Sequence, residues 1–436
     1  MLNRFLFKQI DNSALVVFRI IFGLLCFLES VGAIFTGWVK RTLIDPDFTF
    51  NFIGFDFLQP LPGDLMYYYY FVMGIFGLGI MLGYKYRVSI ISFTLMWCGV
   101  YFMQKSSYNN HYYLLILLCA IMAILPAHRF ASLDAKLNPS IKSIQMPAWC
   151  KWIFVLQLFI VYTYASVAKI YPDWLDLSTP KLLMESKRNY PVIGSFLQND
   201  FIPYLVAYGG ILYDGLIIPL LLWKRTRKIA FFASIFFHMF NSIVFQVGIF
   251  PYLALAFSLF FFEAEKINRW FLKRKPLYTG NDVIIPSYKP LLVGVSAVYF
   301  VVQILLPLRH HVIPDDVLWT EEGHRLSWRM MLRSKSGSTS YKIVNHTTKE
   351  SFNVNLDEYL TKKQQRLAST KPDVIWQFSQ RLKRIYKEKG QDISVYVNCL
   401  VSVNGKPYKQ LINPEVDLAA QDWSYFSHTT WLLPSN

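Results

Sequence analysis

The sequence has few cysteines, and none is spaced for a metal site or a disulfide framework. The five are Cys26, Cys98, Cys119, Cys150 and Cys399. Four lie in or beside apolar stretches, and no Cys-x-x-Cys pair or Cys/His ligand spacing occurs. We therefore expect no bound metal, and we interpret the cysteines as small buried hydrophobes.

Acidic residues are also scarce, since 28 Asp and Glu stand against 44 Lys and Arg, for a formal charge of +16. An excess of this size could indicate a nucleic-acid partner. The cations, however, cluster in the loops on one side of the apolar runs, as in 224–228 and 266–289. This bias is typical of the cytoplasmic loops of membrane proteins. We therefore expect no nucleic-acid partner.

Apolar residues are abundant: the chain is 54% hydrophobic and 17% aromatic, too apolar for an ordinary soluble protein of this length. About 20 apolar residues cross the ~30 Å core of a bilayer as a helix. Nine spans are predicted, near 14–35, 66–83, 88–103, 111–126, 148–168, 201–223, 229–246, 248–262 and 290–307. The seventh and eighth form a tight helical hairpin, because only Gln246 to Gly248 separate them.

The chain changes character after residue 307. Alternating stretches at 340–345 and 393–403 predict strands, Asn404-Gly405 predicts a turn, and a helix fits 373–388. The fold class is therefore a polytopic α-helical membrane protein of about nine spans, residues 1–307, with a small strand-rich α+β module, residues 308–436. With a cytoplasmic N-terminus, nine spans place that module on the outer, periplasmic or lumenal, side.

Polar residues within the apolar spans are the candidates for function. Lys169 ends the fifth span, where a cation against hydrocarbon is costly and burial favours the neutral amine, a usable base. Asn109, Asn110 and His111 begin the fourth span on the same side. His238 and Asn241 lie on one face of the seventh. Alone, each has a structural explanation, a snorkelling lysine or an interhelical hydrogen bond. Because all of them lie at a similar depth in the membrane, we favour a common functional site.

Two other charged residues are interpreted differently. Arg19 in the first span and Asp214 in the sixth lie nearer the cytoplasmic side, so we predict a structural ion pair between them. Glu29 lies toward the outer end of its span and has no predicted role.

Several motifs resemble the vitamin K-dependent γ-glutamyl carboxylases, whose membrane domain is of the HTTM type. The resemblance rests on Asn109-Asn-His-Tyr-Tyr, Ala165-Ser-Val-Ala-Lys-Ile-Tyr-Pro-Asp-Trp174 and Phe237-His-Met-Phe-Asn241. It begins at Val17-Phe-Arg-Ile-Ile-Phe-Gly23. It continues in the outer module at Leu326-Ser-Trp-Arg-Met-Met331 and Asn413-Pro-Glu-Val-Asp417. Nearly the whole chain is covered in order.

The resemblance implies γ-carboxylation of peptide glutamate coupled to epoxidation of vitamin K hydroquinone. In this family a lysine deprotonates the quinol, O₂ adds, and the resulting strong base removes a γ-proton before CO₂ is captured. Lys169 corresponds to that lysine. Asn110 and His111 correspond to the residues at the lysine and at the glutamate carbanion.

The resemblance also implies substrate pockets. His238, Asn241 and Asn109 correspond to the quinol pocket. The segment from Trp319 to Met331 falls where the family holds glutamate, with Trp319, Trp328, Met330 and Met331 as the candidates. The expected partners are the lipid bilayer, a glutamate-containing peptide or protein, and a lipid-soluble quinol, either phylloquinol or menaquinol.

The chain departs from the animal pattern at several points. It is shorter, Ala168 replaces a second lysine, and no outer cysteine pair exists. Arg325 and Arg329 replace an aromatic and an acidic residue. These departures indicate a short microbial member in which quinol epoxidation is better supported than carboxylation. The alternatives are a quinol epoxidase without carboxylation, a non-catalytic quinone-binding protein, and a transporter.

Overall fold

The computed structural model describes residues 1–435 and is built around nine apolar helices. They are α1 (Ser13–Phe35), α2 (Leu65–Leu82), α3 (Tyr86–Met103), α4 (Asn110–Ile124), α5 (Trp149–Val167), α6 (Phe201–Leu222), α7 (Arg227–Phe245), α8 (Phe250–Phe261) and α9 (Lys289–His311). Seven are long and apolar enough to cross a membrane, while α4 and α8 are shorter. The polytopic helical class is confirmed. The nine predicted spans correspond to seven long helices and two short ones within the described residues.

Shorter elements connect these helices. The connecting α-helices are Leu2–Phe7, Leu133–Leu137, Pro172–Leu175, Ser178–Glu185, Gly194–Leu197, Ala264–Phe271 and Val317–Thr320. A π-helix covers Lys40–Ile44, and 3-10 turns cover Pro139–Ile141, Leu356–Glu358 and Leu418–Ala420. Strands β1 (Gln9–Asp11) and β2 (Gln145–Pro147) pair antiparallel, which holds the start of α1 beside the start of α5.

Helices α1 and α2 pack closely because two glycines face the contact. A Cβ on Gly23 would lie 2.2 Å from the backbone nitrogen of Met81, and one on Gly77 would lie 2.7 Å from that of Phe27. Neither position therefore tolerates a side chain without a shift of the helices.

The predicted ion pair between Arg19 and Asp214 is wrong. The guanidinium of Arg19 is fully buried and donates to the carbonyls of Ile80 at 2.9 Å, Met81 at 2.6 Å and Ala131 at 2.6 Å. Two carbonyls from the last turn of α2 and the carbonyl of Ala131 therefore bind this cation, as helix C-termini favour positive charge. Asp214 pairs elsewhere, as described below.

The predicted hairpin between the seventh and eighth spans is confirmed. Helix α7 ends at Phe245 and α8 begins at Phe250, and the helices contact each other. The connection turns sharply because Gln246 and Gly248 both adopt positive φ, 52° and 63°. Glycine accommodates that backbone without strain at position 248, whereas Gln246 adopts it as a non-glycine residue.

The outer module contains a four-stranded antiparallel sheet. Its strands are β3 (Lys335–Asn345), β4 (Ser351–Asn353), β5 (Ile393–Val403) and β6 (Lys409–Gln410), and they lie in the order β4-β3-β5-β6. Pairing of β3 with β5 runs from Lys335 opposite Val403 to Asn345 opposite Ile393. Helices α10 (Lys362–Ala368) and α11 (Pro372–Glu388) complete the module, and α11 packs on β5. The predicted strands and helix are confirmed.

The outer module contacts the helical part through buried polar groups. Asp373, in the first turn of α11, accepts from Arg325 at 2.6 and 3.2 Å and also pairs with Lys105, which follows α3. Asn404, in the turn after β5, donates to Asp173 at 3.0 Å. The module is therefore fixed next to the segment that follows Lys169. Its boundary at residues 307 and 308 stays a prediction.

Candidate active site

Lys169 lies just beyond the end of α5, and its side chain is buried. The residue is 9% exposed, and its Nζ donates to the carbonyl of Ala165 at 3.0 Å and to Oδ2 of Asp214 at 2.5 Å. The side chain thus runs back along its own helix, as long side chains do. This is why Lys169 reaches Asp214 on α6, although counting residues placed the two at different depths.

An apolar cavity of about 510 Å³ surrounds the lysine. Its lining comes mainly from α6, α7 and the start of α8. The titratable and amide side chains on it are His111, Tyr162, Lys169, Tyr213, Asp214, His238 and Asn241. The apolar cavity therefore brings together Lys169, His111, His238 and Asn241, four of the predicted site residues.

His238 is held in place by two phenols. Its Nε2 lies 3.2 Å from the hydroxyl of Tyr162 and 3.1 Å from that of Tyr213, and the residue is 3% exposed. Asn241 begins a π-helical turn, Asn241–Phe245, at the end of α7. A second π turn, Leu205–Gly209, interrupts α6 beside the same cavity. Such turns often occur at functional sites.

A second cavity of about 690 Å³ lies toward the outer module, and we call it the polar cavity because more charged and amide side chains line it than line the apolar one. Its polar lining includes Glu29, Asn109, Asn110, His324, Arg329 and Arg333. Among residues 1–435, Nδ1 of His324 and Nε of Arg329 are buried without a hydrogen-bond partner. Burial lowers the pKa of His324 well below its usual range, so its ring is neutral. The polar cavity therefore combines cationic and neutral hydrogen-bond donors.

The two cavities share part of their lining, which we call the shared wall: His111, Val247, Met330 and Met331. His111 stacks on Phe250 with ring centroids 4.0 Å apart. Asn110, the neighbouring residue, donates to the carbonyl of Arg329 at 3.1 Å and accepts from Tyr108 at 2.9 Å. The segment that carries Met330 is thereby tied to the start of α4.

Three predicted site residues lie elsewhere than expected. Asn109 lines the polar cavity and not the apolar one, because its side chain accepts from the backbone of Tyr112 and caps α4. Trp319 lies in the core of the outer module and donates to the carbonyl of Leu433 at 2.8 Å. Trp328 is 1% exposed and stacks on Tyr113, so its side chain anchors the segment that carries Met330 and does not line either cavity.

Sequence reasoning missed several residues at these cavities. Asp214 carried a signal, an acid in an apolar span, but was assigned to Arg19. Glu29 carried the same signal and was left without a role, and it lines the polar cavity. Tyr162 and Tyr213 carried no signal, because tyrosines are common in this chain and typical of membrane interfaces.

The fold and the paired cavities define a polytopic helical membrane protein with an apolar pocket and a strand-rich C-terminal module. Residues 7–266 match the HTTM domain model, and residues 288–436 match the model of the vitamin K-dependent gamma-carboxylase lumenal domain. The chain therefore belongs to the vitamin K-dependent gamma-carboxylase family. No solved structure matches the chain.

Family membership gives the coarse biochemical picture. It implies the use of vitamin K hydroquinone, O₂ and CO₂ and a glutamate-containing substrate. The second match also indicates a lumenal type of C-terminal module, while the cytoplasmic N-terminus stays a prediction.

Proposed function

We propose that this protein uses vitamin K hydroquinone, O₂ and CO₂ to γ-carboxylate peptide glutamate, with epoxidation of the quinol as the coupled half-reaction. One observation carries the proposal. An apolar cavity that contains a buried lysine and a polar cavity that contains Arg329, which pairs with no carboxylate within residues 1–435, meet at the shared wall, where His111 lies. Two substrates of opposite polarity can therefore approach one imidazole from two sides.

The apolar cavity suits the ring of a naphthoquinol. Its volume of about 510 Å³ lies within the range of about 300–1,000 Å³ typical of ligand pockets. Leu212, Leu216, Ile229 and Phe236 line it and are also exposed on the outer surfaces of α6 and α7. A lipid-soluble quinol can thus enter sideways from the bilayer between these two helices.

Lys169 is the proposed base. Its amine takes the proton from the quinol hydroxyl, a weak acid whose deprotonation needs a base in a dry site. Burial of the amine and the apolar lining keep bulk water from the anion that forms. His238 and Asn241 offer hydrogen bonds to the quinol oxygens from the same cavity.

The polar cavity is the proposed site for the glutamate side chain. Arg329 lines it, and its guanidinium contacts Nε2 of His310 at 3.3 Å but makes no ion pair within residues 1–435, so a substrate carboxylate is a natural partner. Met330 and Met331 separate this carboxylate from the quinol. His111, on the shared wall, lies where it can stabilise charge on either substrate. The peptide itself comes from the aqueous side, past the outer module.

A test measures both half-reactions in one sample. Purified protein is incubated with reduced menaquinone or phylloquinone, labelled bicarbonate and a glutamate peptide, and epoxide and fixed label are quantified together. The proposal expects both products in the complete mixture and no label when the peptide is replaced by its glutamine counterpart. Absence of epoxide and label from folded protein would contradict it.

Epoxidation without carboxylation is the second candidate. It is favoured by the placement of Trp319 and Trp328, two of the four candidate glutamate residues, outside both cavities. Epoxide without fixed label in the same assay would select this reading.

A further inference from the structure

Asp214 is the one acidic residue that lines the apolar cavity within the described part of the chain. It lies on α6, is 6% exposed, and faces Lys169 on α5 at 2.5 Å between Oδ2 and Nζ. A charged pair placed among apolar groups is costly to bury and is often replaceable by hydrophobic residues without loss of stability. A charged pair that lines a cavity therefore points to a role in catalysis rather than in the stability of the fold.

The geometry around Nζ is directional. A neutral amine has two N–H donors and one lone pair. The carbonyl of Ala165 at 3.0 Å and Oδ2 of Asp214 at 2.5 Å accept from two positions on the nitrogen. One tetrahedral position is left, and Nζ belongs to a side chain on the cavity lining. That third position, a lone pair or the third N–H of the ammonium, is the one left available to a molecule in the cavity.

We propose that Asp214 is a positioning and proton-holding partner of Lys169, which deepens the proposed function and rests on it. The pair shares one ionisable proton. When that proton moves from Nζ to Oδ2, the pair stays neutral overall, and rotation about the Cε–Nζ bond turns the freed lone pair from Asp214 toward the cavity. The amine then takes the proton of the quinol hydroxyl, the O–H bond breaks, and its electron pair stays on the quinol oxygen.

The charges balance at the end of this step. The quinol becomes a monoanion, Lys169 becomes an ammonium, and Asp214 is a neutral acid. The ammonium lies beside the new anion, where their attraction is strong because the cavity is apolar. No oxidant is consumed until O₂, a substrate of the proposed reaction, arrives.

Other titratable groups face this cavity and are part of its pH response. They are His111 from α4, Tyr162 from α5, Tyr213 from α6 and His238 from α7. His238 is bound to both phenols, so these three groups form a network of their own. Within residues 1–435, Asp214 makes its ion pair with Lys169 only.

The test replaces Asp214 by Asn, which keeps the size of the side chain and one oxygen acceptor but cannot take the proton. In the variant the amine must lose its proton to solvent before it reacts. We expect kcat of epoxidation at neutral pH to fall about 10²-fold, which is the typical loss in rate when a proton-transfer group is removed. KM for the quinol should stay within about twofold of the wild-type value. We also expect kcat/KM of the variant to rise with pH across a range in which kcat/KM of the wild type does not change.

Controls separate this role from a structural one. Asp200→Asn removes an exposed acid just before α6 and should leave kcat and the pH profile unchanged. Asp214→Glu keeps a proton acceptor, so its profile should stay flat although kcat falls. If the Asn variant fails to fold, the Glu variant carries the test, and a profile that rises with pH would overturn the inference. Wild-type kcat and profile in folded Asp214→Asn would overturn it too. Absence of epoxide from the wild type would instead refute the proposed function.

Discussion

The ring of His111 stacks on the ring of Phe250, with centroids 4.0 Å apart and planes at 24°. This contact joins the start of α4 to the start of α8, the two short apolar helices. It places the imidazole on the shared wall, with the apolar cavity on one side and the polar cavity on the other. Coupling of the two half-reactions should therefore depend on this ring.

The first prediction concerns that coupling. In His111→Phe the ring can still stack on Phe250, but the two nitrogens are gone. We expect the ratio of fixed label to epoxide to fall at least about tenfold, because a hydrogen-bond donor that stabilises developing charge is removed, while KM for the quinol changes little. The measurement is the ratio of the two products in one sample. His111→Ala, which also removes the stack, should lower the ratio as well. A normal ratio in His111→Phe would show that only the stack matters.

The second prediction concerns glutamate binding. Arg329→Gln removes the charge that we assign to the substrate carboxylate. Hydrogen bonds to charged groups contribute about 1.5–3 kcal/mol, so KM for a glutamate peptide should rise about tenfold or more, with quinol KM unchanged. Arg366→Gln, which changes an exposed arginine of α10, is the control. An unchanged peptide KM in Arg329→Gln would remove Arg329 from the proposed site.

The third prediction concerns the entry of the quinol. Ala233 of α7 lines the apolar cavity and is exposed, so a tryptophan there narrows the opening between α6 and α7. Ala233→Trp should raise KM for a long-tailed menaquinol severalfold, because the tail must occupy that opening, and leave KM for tail-less menadiol within about twofold. Val298→Trp on the exposed face of α9 is the control. Equal effects on both quinols would argue for another route.

The fourth prediction concerns docking of the outer module. Burial raises the pKa of Asp373, but the charges of Arg325 and Lys105 together lower it more, so its net pKa lies below the ordinary 3.8. The unfolded state then takes up the proton first as pH falls. The stabilisation of the folded protein by the ion pairs of Asp373 is therefore complete above about pH 4–5 and is lost progressively below that range.

Asp373→Asn should accordingly destabilise the protein at neutral pH by about 3–5 kcal/mol, because it leaves buried cations without their partner. The difference from the wild type should shrink as pH falls below 3.8. Thermal unfolding and proteolysis of the outer module across pH measure this. Asp392→Asn, at an exposed position, should match the wild type. A constant difference at every pH would contradict the ion-pair explanation.

Local patterns sufficed to predict much of the fold. Strand β5 and helix α11 match their predicted bounds closely, because alternation at 393–403 and helical spacing at 373–388 depend only on neighbours in the chain. The hairpin of α7 and α8 followed from a three-residue connection. The bounds of α4, Asn110–Ile124, likewise lie within two residues of the predicted 111–126, because Pro126 marks the end of the helix in the sequence.

The site was harder to predict, because the depth of each polar residue in the membrane was judged only from its position along its span. That count ignores side-chain length, so it separated Lys169 from Asp214, although the lysine reaches back to within 2.5 Å. Asn109 and Trp319 illustrate a second limit. A helix cap and a core tryptophan carry the same motif signal as a ligand-binding residue, and only tertiary contacts distinguish them.

Substitution of Lys169 shows whether this residue is the base for the quinol. Lys169→Arg retains a positive charge for Asp214, but a guanidinium does not lose its proton in proteins, so it cannot replace the base. Lys169→Ala removes the amine altogether, and Lys181→Ala changes an exposed lysine as the control.

The measurement is epoxide formation from added hydroquinone by each folded, purified variant. We predict normal epoxide from Lys181→Ala and none above background from Lys169→Arg or Lys169→Ala. Epoxide formation at the wild-type rate by folded Lys169→Ala would contradict the account.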